Sequence, residues 1–178
     1  MVKPDCQQQQ ISFGQQNKID SLKNVLPLLK DTARIDCLNA LSFQHLLVHK
    51  KDSTEYYAGL AYDEAKKNKY FHGIAESFYC KAGMAKMFNN DFLKEEELAI
   101  ESIRWYCNTP NKQNISIPYY QLGFALFAQS SYEDAIKYLK ESYESSEKIG
   151  RKDWMQMAIH LWVKFIAKAV NMGRPLIY

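Results

Sequence analysis

Residues 119–142, YYQLGFALFAQSSYEDAIKYLKES, place large and small residues at the even spacing of two helices joined by a tight turn. Apolar residues three and four apart are typical of one face of an amphipathic helix. Gly123 and Ala135 are small enough to let the two helices approach closely. The residues expected to fill the seam between them are Leu122, Leu126, Tyr132 and Leu139. The segment therefore predicts an antiparallel helical hairpin.

The same pattern recurs along the chain at intervals of about 40 residues. Gly83 precedes Phe92 by nine residues, as Gly123 precedes Tyr132. A further step toward the N-terminus brings Ser42 into the position of Gly83. A step toward the C-terminus reaches the last helical segment, which has no second helix after it. The spacing predicts three hairpins and the first half of a fourth.

Helical periodicity continues from about Ile19 to Val170, and no segment is a convincing strand. We therefore expect an all-α fold, a superhelical stack of antiparallel helix hairpins with about eight helices. The predicted organisation is a flexible Gln-rich segment at 1–17, a helical-repeat domain at 18–171 and a tail at 172–178. The predicted repeats lie near 32–68, 72–107 and 115–148, with an incomplete last repeat at 153–171.

Composition excludes several classes of function. The net charge of +3 is too small for a nucleic-acid-binding surface. No apolar run approaches the ~20 residues that span a membrane, and the N-terminus lacks the apolar core of a signal peptide. We expect no nucleic acid and no membrane contact by this segment. The compartment stays open between a cytoplasmic protein and an excised periplasmic sensor segment, and the four cysteines neither require nor exclude disulfides.

His45 and His49 are the best candidates for a metal site, because residues four apart on a helix share a face. The Glu of an HExxH motif is absent and no third ligand is evident. One packed and one exposed histidine explain the pair without a metal. Glu95, Glu96 and Glu97 likewise suit the positive end of a helix dipole. We expect no enzyme activity, no cofactor and no metal.

The residue order in the hairpin at 119–142 also resembles the tetratricopeptide repeat, and the resemblance covers roughly residues 32–171. The matching residues are Tyr119, Leu122, Gly123, Leu126, Ala135 and Leu139. The spacing is longer than the ~34 residues usual in that family, which implies longer helices or the loop at Pro110. Glu95 departs from the pattern, because it stands where the small second-helix residue is expected.

A narrower resemblance covers about residues 18–169. The segments KIDSLKNVLPLLKDTARIDCLNALSFQHL and YYAGLAYDEAKKNKYFHGIAESFYCKAGM look like the tetratricopeptide segments of Bacteroidetes signalling proteins, which precede a histidine kinase or a response-regulator module. Kinase and DNA-binding motifs are absent from this chain. The resemblance implies that it is the sensory or interaction part of a two-component signal-transduction protein.

The family resemblance also implies a concave groove lined by the first helix of each repeat. The predicted groove residues are aromatic or Met: Phe43, Met84, Met87, Phe88, Tyr120, Phe124 and Phe127. Such a surface suits an apolar or amphipathic protein segment. The family's carboxylate clamp is not expected, because its candidate residues, Asn39, Lys164 and Lys168, stand at opposite ends of the array.

There are two alternatives to an open groove: the groove aromatics pack against one another, or they pack under the terminal helix. The chain would then be a stand-alone structural scaffold that acts through self-association, as a homodimer. The incomplete last repeat favours this alternative, since it is expected to leave Trp162 and Phe165 uncovered.

Overall fold

The computed structural model describes residues 6–110, 112 and 114–171, with side chains described from residue 14 to residue 168 apart from 111 and 113. The described residues form helices and connecting turns, without a strand. The helices are α1 (Cys6–Val25), a 3₁₀ turn (Leu26–Leu28), α2 (Asp31–Leu47), α3 (Lys51–Lys67), α4 (Phe71–Asn89), α5 (Phe92–Cys107), α6 (Ser116–Ala128), α7 (Tyr132–Lys148) and α8 (Lys152–Asn171).

The helices pack as a stack of hairpins, which confirms the predicted all-α architecture. Three hairpins, α2–α3, α4–α5 and α6–α7, are followed by α8. Each first helix also contacts the next one, in the order α2, α4, α6, α8, whereas the described residues of α3, α5 and α7 do not contact one another. The helices α2, α4, α6 and α8 therefore share one face of the stack.

A left-handed residue closes the turn after each of five helices. These residues are His49, Lys69, Asn90, Ser130 and Gly150, with φ between 50° and 70°. The next backbone N–H then reaches back to a carbonyl inside the helix, as from Ser131 N to Leu126 O at 2.9 Å. This bond satisfies a carbonyl that the helix end leaves free. The turn predicted between α6 and α7 is confirmed.

The turn after α4 differs from the turns after α2 and α6. This difference changes how the predicted repeats align. The closing bond spans five residues after α2 and α6, but six after α4, where it joins Asp91 N to Ala85 O at 3.0 Å. The last turn of α4 therefore holds one extra residue. Ser42 and Gly123 each lie eight residues before the donor of the closing bond, Lys50 or Ser131. With the extra residue left out of the count, Ala82 rather than Gly83 occupies this position in α4.

The neighbours of Gly83 agree with this correction. A Cβ on Gly83 would lie 2.6 Å from Leu46 Cδ2, so this residue faces α2. A Cβ on Gly123 would lie 3.1 Å from Ala135 O on α7, and Ser42 Oγ donates a hydrogen bond to Thr54 O on α3 at 2.9 Å. The position of Ser42 and Gly123 thus faces the second helix of its own hairpin.

Buried serines hold two hairpins together in equivalent ways. Ser102 Oγ on α5 donates to Ala75 O at 2.8 Å, and Ser142 Oγ on α7 donates to Ser116 O at 2.7 Å. Ser102 and Ser142 are 40 residues apart. Each bond ties the middle of a second helix to the first turns of its partner. The hairpins α4–α5 and α6–α7 are therefore alike in this hydrogen bond as well as in apolar spacing.

The N-terminal end differs from the sequence prediction. Helix α1 begins at Cys6, so residues 6–17, expected to be flexible, are helical. Gln is a good helix former, and the described end of α1 is held by Ile19, which is buried against Cys37 and Leu41 of α2. The predicted tail at 172–178 lies outside the described residues. Among the described helices, none is long and apolar enough to cross a membrane.

Candidate functional site

Aromatic contacts run along the face shared by α2, α4, α6 and α8. Phe43 on α2 lies 5.7 Å from Tyr79 on α4, measured between ring centroids. Tyr120 on α6 lies edge-on to Trp154 on α8, with centroids 5.8 Å apart. Aromatic pairs in such tilted and edge-on arrangements are attractive. The shared face is thus lined by apolar rings along its length.

The seven predicted groove residues belong to α2, α4 and α6, and each keeps some exposed surface. Met87 is exposed by 37%. The other six, Phe43, Met84, Phe88, Tyr120, Phe124 and Phe127, are half-buried. The aromatic members have ring partners outside the set. Three of them, Tyr120, Phe124 and Phe127, also pack against the buried core cluster that contains Leu126 and Phe165.

Phe127 is the member of this set that packs most closely into the protein. Its ring is parallel to that of Phe165 on α8, with centroids 3.5 Å apart, and Lys168 Nζ lies 4.9 Å from its centre. Helix α8 therefore packs against the C-terminal part of α6 through this contact. Phe165 is buried by the same contact, so the prediction that it would be uncovered is wrong.

Phe124 contacts Lys86, a residue that the sequence pattern did not predict to belong to the site. Lys86 Nζ on α4 lies 3.5 Å from the centre of the Phe124 ring, a cation–π contact between two first helices. Burial lowers the pKa of Lys86, and the charge of Glu95 acts in the opposite direction. The only sequence signal for Lys86 was its place between Met84 and Met87 on α4.

Glu95 on α5 lies behind this contact and is 0% exposed. Neither of its carboxylate oxygens has a hydrogen-bond partner. Burial raises the pKa of Glu95 to about 7, although the charge of Lys86 lowers it. Burial also raises the pKa of Tyr120, with a further contribution from Glu95. Lys86, Glu95 and Tyr120 therefore form an electrostatic cluster that extends from the face into the seam between α4 and α5.

Glu95 lies in the first turn of α5, where it was predicted to suit the helix dipole, but its burial was not predicted. The cap of α5 is Asp91, whose Oδ1 accepts a hydrogen bond from Lys94 N at 2.9 Å. Glu95 instead occupies the second-helix position taken by Thr54 in α3 and Ala135 in α7. A long charged side chain at that position is buried because the seam between α4 and α5 covers it.

The two candidate metal ligands do not share a helix. Helix α2 ends at Leu47, and His49 lies in the turn with φ of 56°. His45 is buried and stacks on Tyr57 with centroids 5.4 Å apart. Burial lowers the pKa of His45, and the charges of Lys23 and Lys50 lower it further. The described part of the chain holds no group of three or more His, Cys, Asp or Glu side chains placed to bind a metal ion.

Asn39, a clamp-type candidate, lies inside the α2–α4 interface. Its Nδ2 donates to Gly73 O at 3.0 Å, and its Oδ1 accepts a hydrogen bond from Ser77 Oγ at 3.0 Å. These bonds use the polar atoms of a side chain that is buried. Asn39 therefore positions α4 against α2 and is not presented to a ligand.

Comparison with protein-family models, with curated proteins and with solved structures gives no match to this chain.

Proposed function

We propose that the chain is a non-catalytic, tetratricopeptide-like module that binds a protein or peptide segment on the face shared by its first helices. The observation that carries the proposal is the partial exposure of apolar side chains along this face, from Phe43 on α2 through Met87 on α4 to Phe124 on α6. Exposed apolar and Met-rich surfaces suit the apolar side of an amphipathic helix.

The charges on the same face refine the proposal. Lys86 rests on Phe124 and Lys168 lies beside Phe127, so each lysine stands next to an apolar ring. A bound segment that combines apolar and acidic side chains would contact both kinds of group. The wider role, as the sensory or interaction part of a bacterial two-component signalling protein, rests on the sequence resemblance alone.

Selection of binding peptides from a displayed library tests the proposal. Peptides selected on the wild-type chain should bind the Met87→Glu variant at least about tenfold more weakly, a loss of about 1.4 kcal/mol. The matched control is Leu93→Glu, which places the same charge on the exposed surface of α5, where Leu93 is 71% exposed. Peptides that bind both variants equally, or no selected peptides at all, would contradict the proposal.

A second candidate function is a structural scaffold whose groove is filled by its own side chains. The parallel contact between Phe127 and Phe165 favours it, because one end of the shared face is already closed. A scaffold of this kind would act through self-association. Failure of the peptide selection together with a stable oligomer would favour the scaffold over the peptide-binding module.

A further inference from the structure

Lys86 lies between two groups that attract its charge. Its Nζ rests 3.5 Å from the centre of the Phe124 ring on α6. The carboxyl group of Glu95, in the seam between α4 and α5, also acts on the charge of Lys86. Neither oxygen of Glu95 has a hydrogen-bond partner. The ammonium group is therefore held by the ring and not by a hydrogen bond to the carboxyl group.

This arrangement is the one expected when Glu95 carries a proton. A neutral carboxyl group leaves the ammonium group to the aromatic ring. An ionised Glu95 would be a fully buried charge without a hydrogen-bond partner, which is a costly state. Burial accordingly raises the pKa of Glu95 to about 7. The carboxyl group therefore changes its charge close to neutral pH.

Ionisation of Glu95 changes where the ammonium group is most stable. Among the described residues, the titratable groups that act on Glu95 from the helices packed against α5 are Lys86 on α4 and Tyr120 on α6. The Tyr120 hydroxyl can donate a hydrogen bond, but burial raises its pKa and it stays uncharged. Lys86 is therefore the group that can neutralise the carboxylate. Its flexible four-carbon side chain allows it to leave the ring.

The neighbouring charged side chains in the first turns of α5 have partners of their own. Lys94 Nζ bonds to Glu97 Oε2 at 2.7 Å. Glu96 Oε2 accepts a hydrogen bond from Gln129 Nε2 at 2.6 Å. On this part of α5, which is described in full, Glu95 is therefore the carboxyl group that competes for the lysine on α4.

Lys86 is also placed to meet a bound segment. It is half-buried and stands beside Met87, the most exposed of the predicted groove residues. An acidic side chain on a bound segment would pair with the ammonium group at the groove surface. Such a side chain has an ordinary pKa of about 4. It is therefore charged at pH 6, where Glu95 is mostly protonated.

We propose that Glu95 and an acidic side chain of the bound segment compete for Lys86, so that binding of the segment is coupled to uptake of a proton by Glu95. The inference rests on the proposed binding function and adds its regulation. With Glu95 protonated, the ammonium group pairs with the segment. With Glu95 ionised, the segment has to draw the ammonium group away from a buried carboxylate. The segment therefore binds more tightly at pH 6 than at pH 8.

Titration calorimetry at pH 6 and pH 8 tests the coupling, with an acidic peptide from the displayed library as the probe. The wild-type chain should bind it about tenfold more weakly at pH 8, since only about a tenth of Glu95 is then protonated. Glu95→Gln stays neutral and should bind equally at both pH values. Glu133→Gln, on the exposed surface of α7, should keep the wild-type pH dependence. Equal wild-type affinities, or a Glu95→Gln chain that keeps the tenfold change, would overturn the proposal.

A second comparison tests whether Lys86 binds the acidic side chain. The probe is the same peptide with an amide in place of its acid, which the wild-type chain should bind more weakly at pH 6. Lys86→Met removes the charge and should bind both peptides equally. The matched control is Lys81→Met on the same helix, where Lys81 Nζ lies 4.2 Å from the centre of the Tyr62 ring on α3. It should keep the preference for the acid. A Lys86→Met chain that also keeps it would overturn the proposal.

The ligand-free chain separates this inference from the proposed function. Protons above an aromatic ring are shielded, so the ε-methylene signals of Lys86 should lie upfield at pH 6 and move downfield as pH rises through 7. Glu95→Gln should keep them upfield at pH 8. Wild-type signals that do not move would overturn the competition even where peptides bind.

The composition of the selected peptides gives a further distinction. Peptides enriched in acidic residues support the proposal. Selected peptides without an acidic side chain would overturn it and leave the proposed function standing. A chain that selects no peptide would contradict the proposed function and this inference together.

Discussion

Gly123 on α6 packs directly against Leu139 on α7, so that a Cβ on Gly123 would lie 2.9 Å from Leu139 Cγ and 3.1 Å from Leu139 Cδ2. The same Cβ would meet the backbone oxygen of Ala135 at 3.1 Å. Side-chain atoms of Leu139 can turn aside, but a backbone carbonyl cannot. The distance between α6 and α7 is therefore set by the absence of a side chain at Gly123.

Gly123→Ala should lower the free energy of unfolding by about 1–3 kcal/mol, because the added methyl group forces α6 and α7 apart. Urea unfolding measures the change. The matched control is Gly59→Ala in α3, where a Cβ would meet nothing within 4 Å. There the better helix propensity of Ala should raise the free energy of unfolding by about 0.5–1 kcal/mol. Equal effects at the two sites would contradict this description of the seam.

The raised pKa of Glu95 predicts that its contribution to stability is lost as pH rises. Its pKa in the folded chain is about 7, above the ordinary value of 4.5, so the folded state holds more protons than the unfolded state between these values. The stabilising contribution of the protonated carboxyl is complete below pH 4.5 and is lost as pH rises through 7. Over this pH range, the contribution of Glu95 to the free energy of unfolding changes by at most roughly 3 kcal/mol.

Glu95→Gln mimics the protonated side chain and should remove this loss. Urea unfolding at pH 4.5 should give similar stability for the variant and the wild type, whereas at pH 8 the variant should be more stable. Glu133→Gln, an exposed substitution on α7, controls for the change in net charge. A variant that is less stable than the wild type at pH 8 would show that Glu95 is stabilised by a partner in its ionised form.

His45 predicts a loss of stability in the opposite direction. Because burial holds its pKa below 6.5 in the folded chain, the unfolded state binds the extra proton first as pH falls. The contribution of His45 to the free energy of unfolding should therefore be lost as pH falls below 6.5, which the difference between the wild type and a His45 variant isolates from the effect of Glu95. His45→Phe keeps a ring stacked on Tyr57 and should remove this part of the acid sensitivity, whereas His160→Gln, on the exposed surface of α8, should not.

The hairpins were predictable because local spacing determines them. The pairing of Gly123 with the second helix at Ala135, and the turn that ends at Ser131, follow from small and apolar residues within a single hairpin. The residues that determine a hairpin lie within a few helical turns of one another. The seam of α6 and α7 could therefore be derived without knowledge of the rest of the chain.

Features that depend on distant helices were not predictable. The extra residue in the last turn of α4 leaves the apolar spacing intact, so alignment by sequence pairs Gly83 with Gly123, although Ala82 occupies that position. Lys86 is attracted to Phe124, 38 positions further along the chain. The burial of Glu95 likewise depends on helices that pack around it, which a local pattern does not contain.

The most direct test of the binding role is a methyl spectrum of the chain with labelled methionines. Met84 and Met87 on α4 belong to the predicted groove residues, whereas Met155 lies on α8 and does not. Addition of a selected peptide should shift the methyl signals of Met84 and Met87 and leave Met155 unchanged at constant protein concentration. Shifts confined to Met155, with Met84 and Met87 unmoved at saturating peptide, would contradict the groove as the binding site.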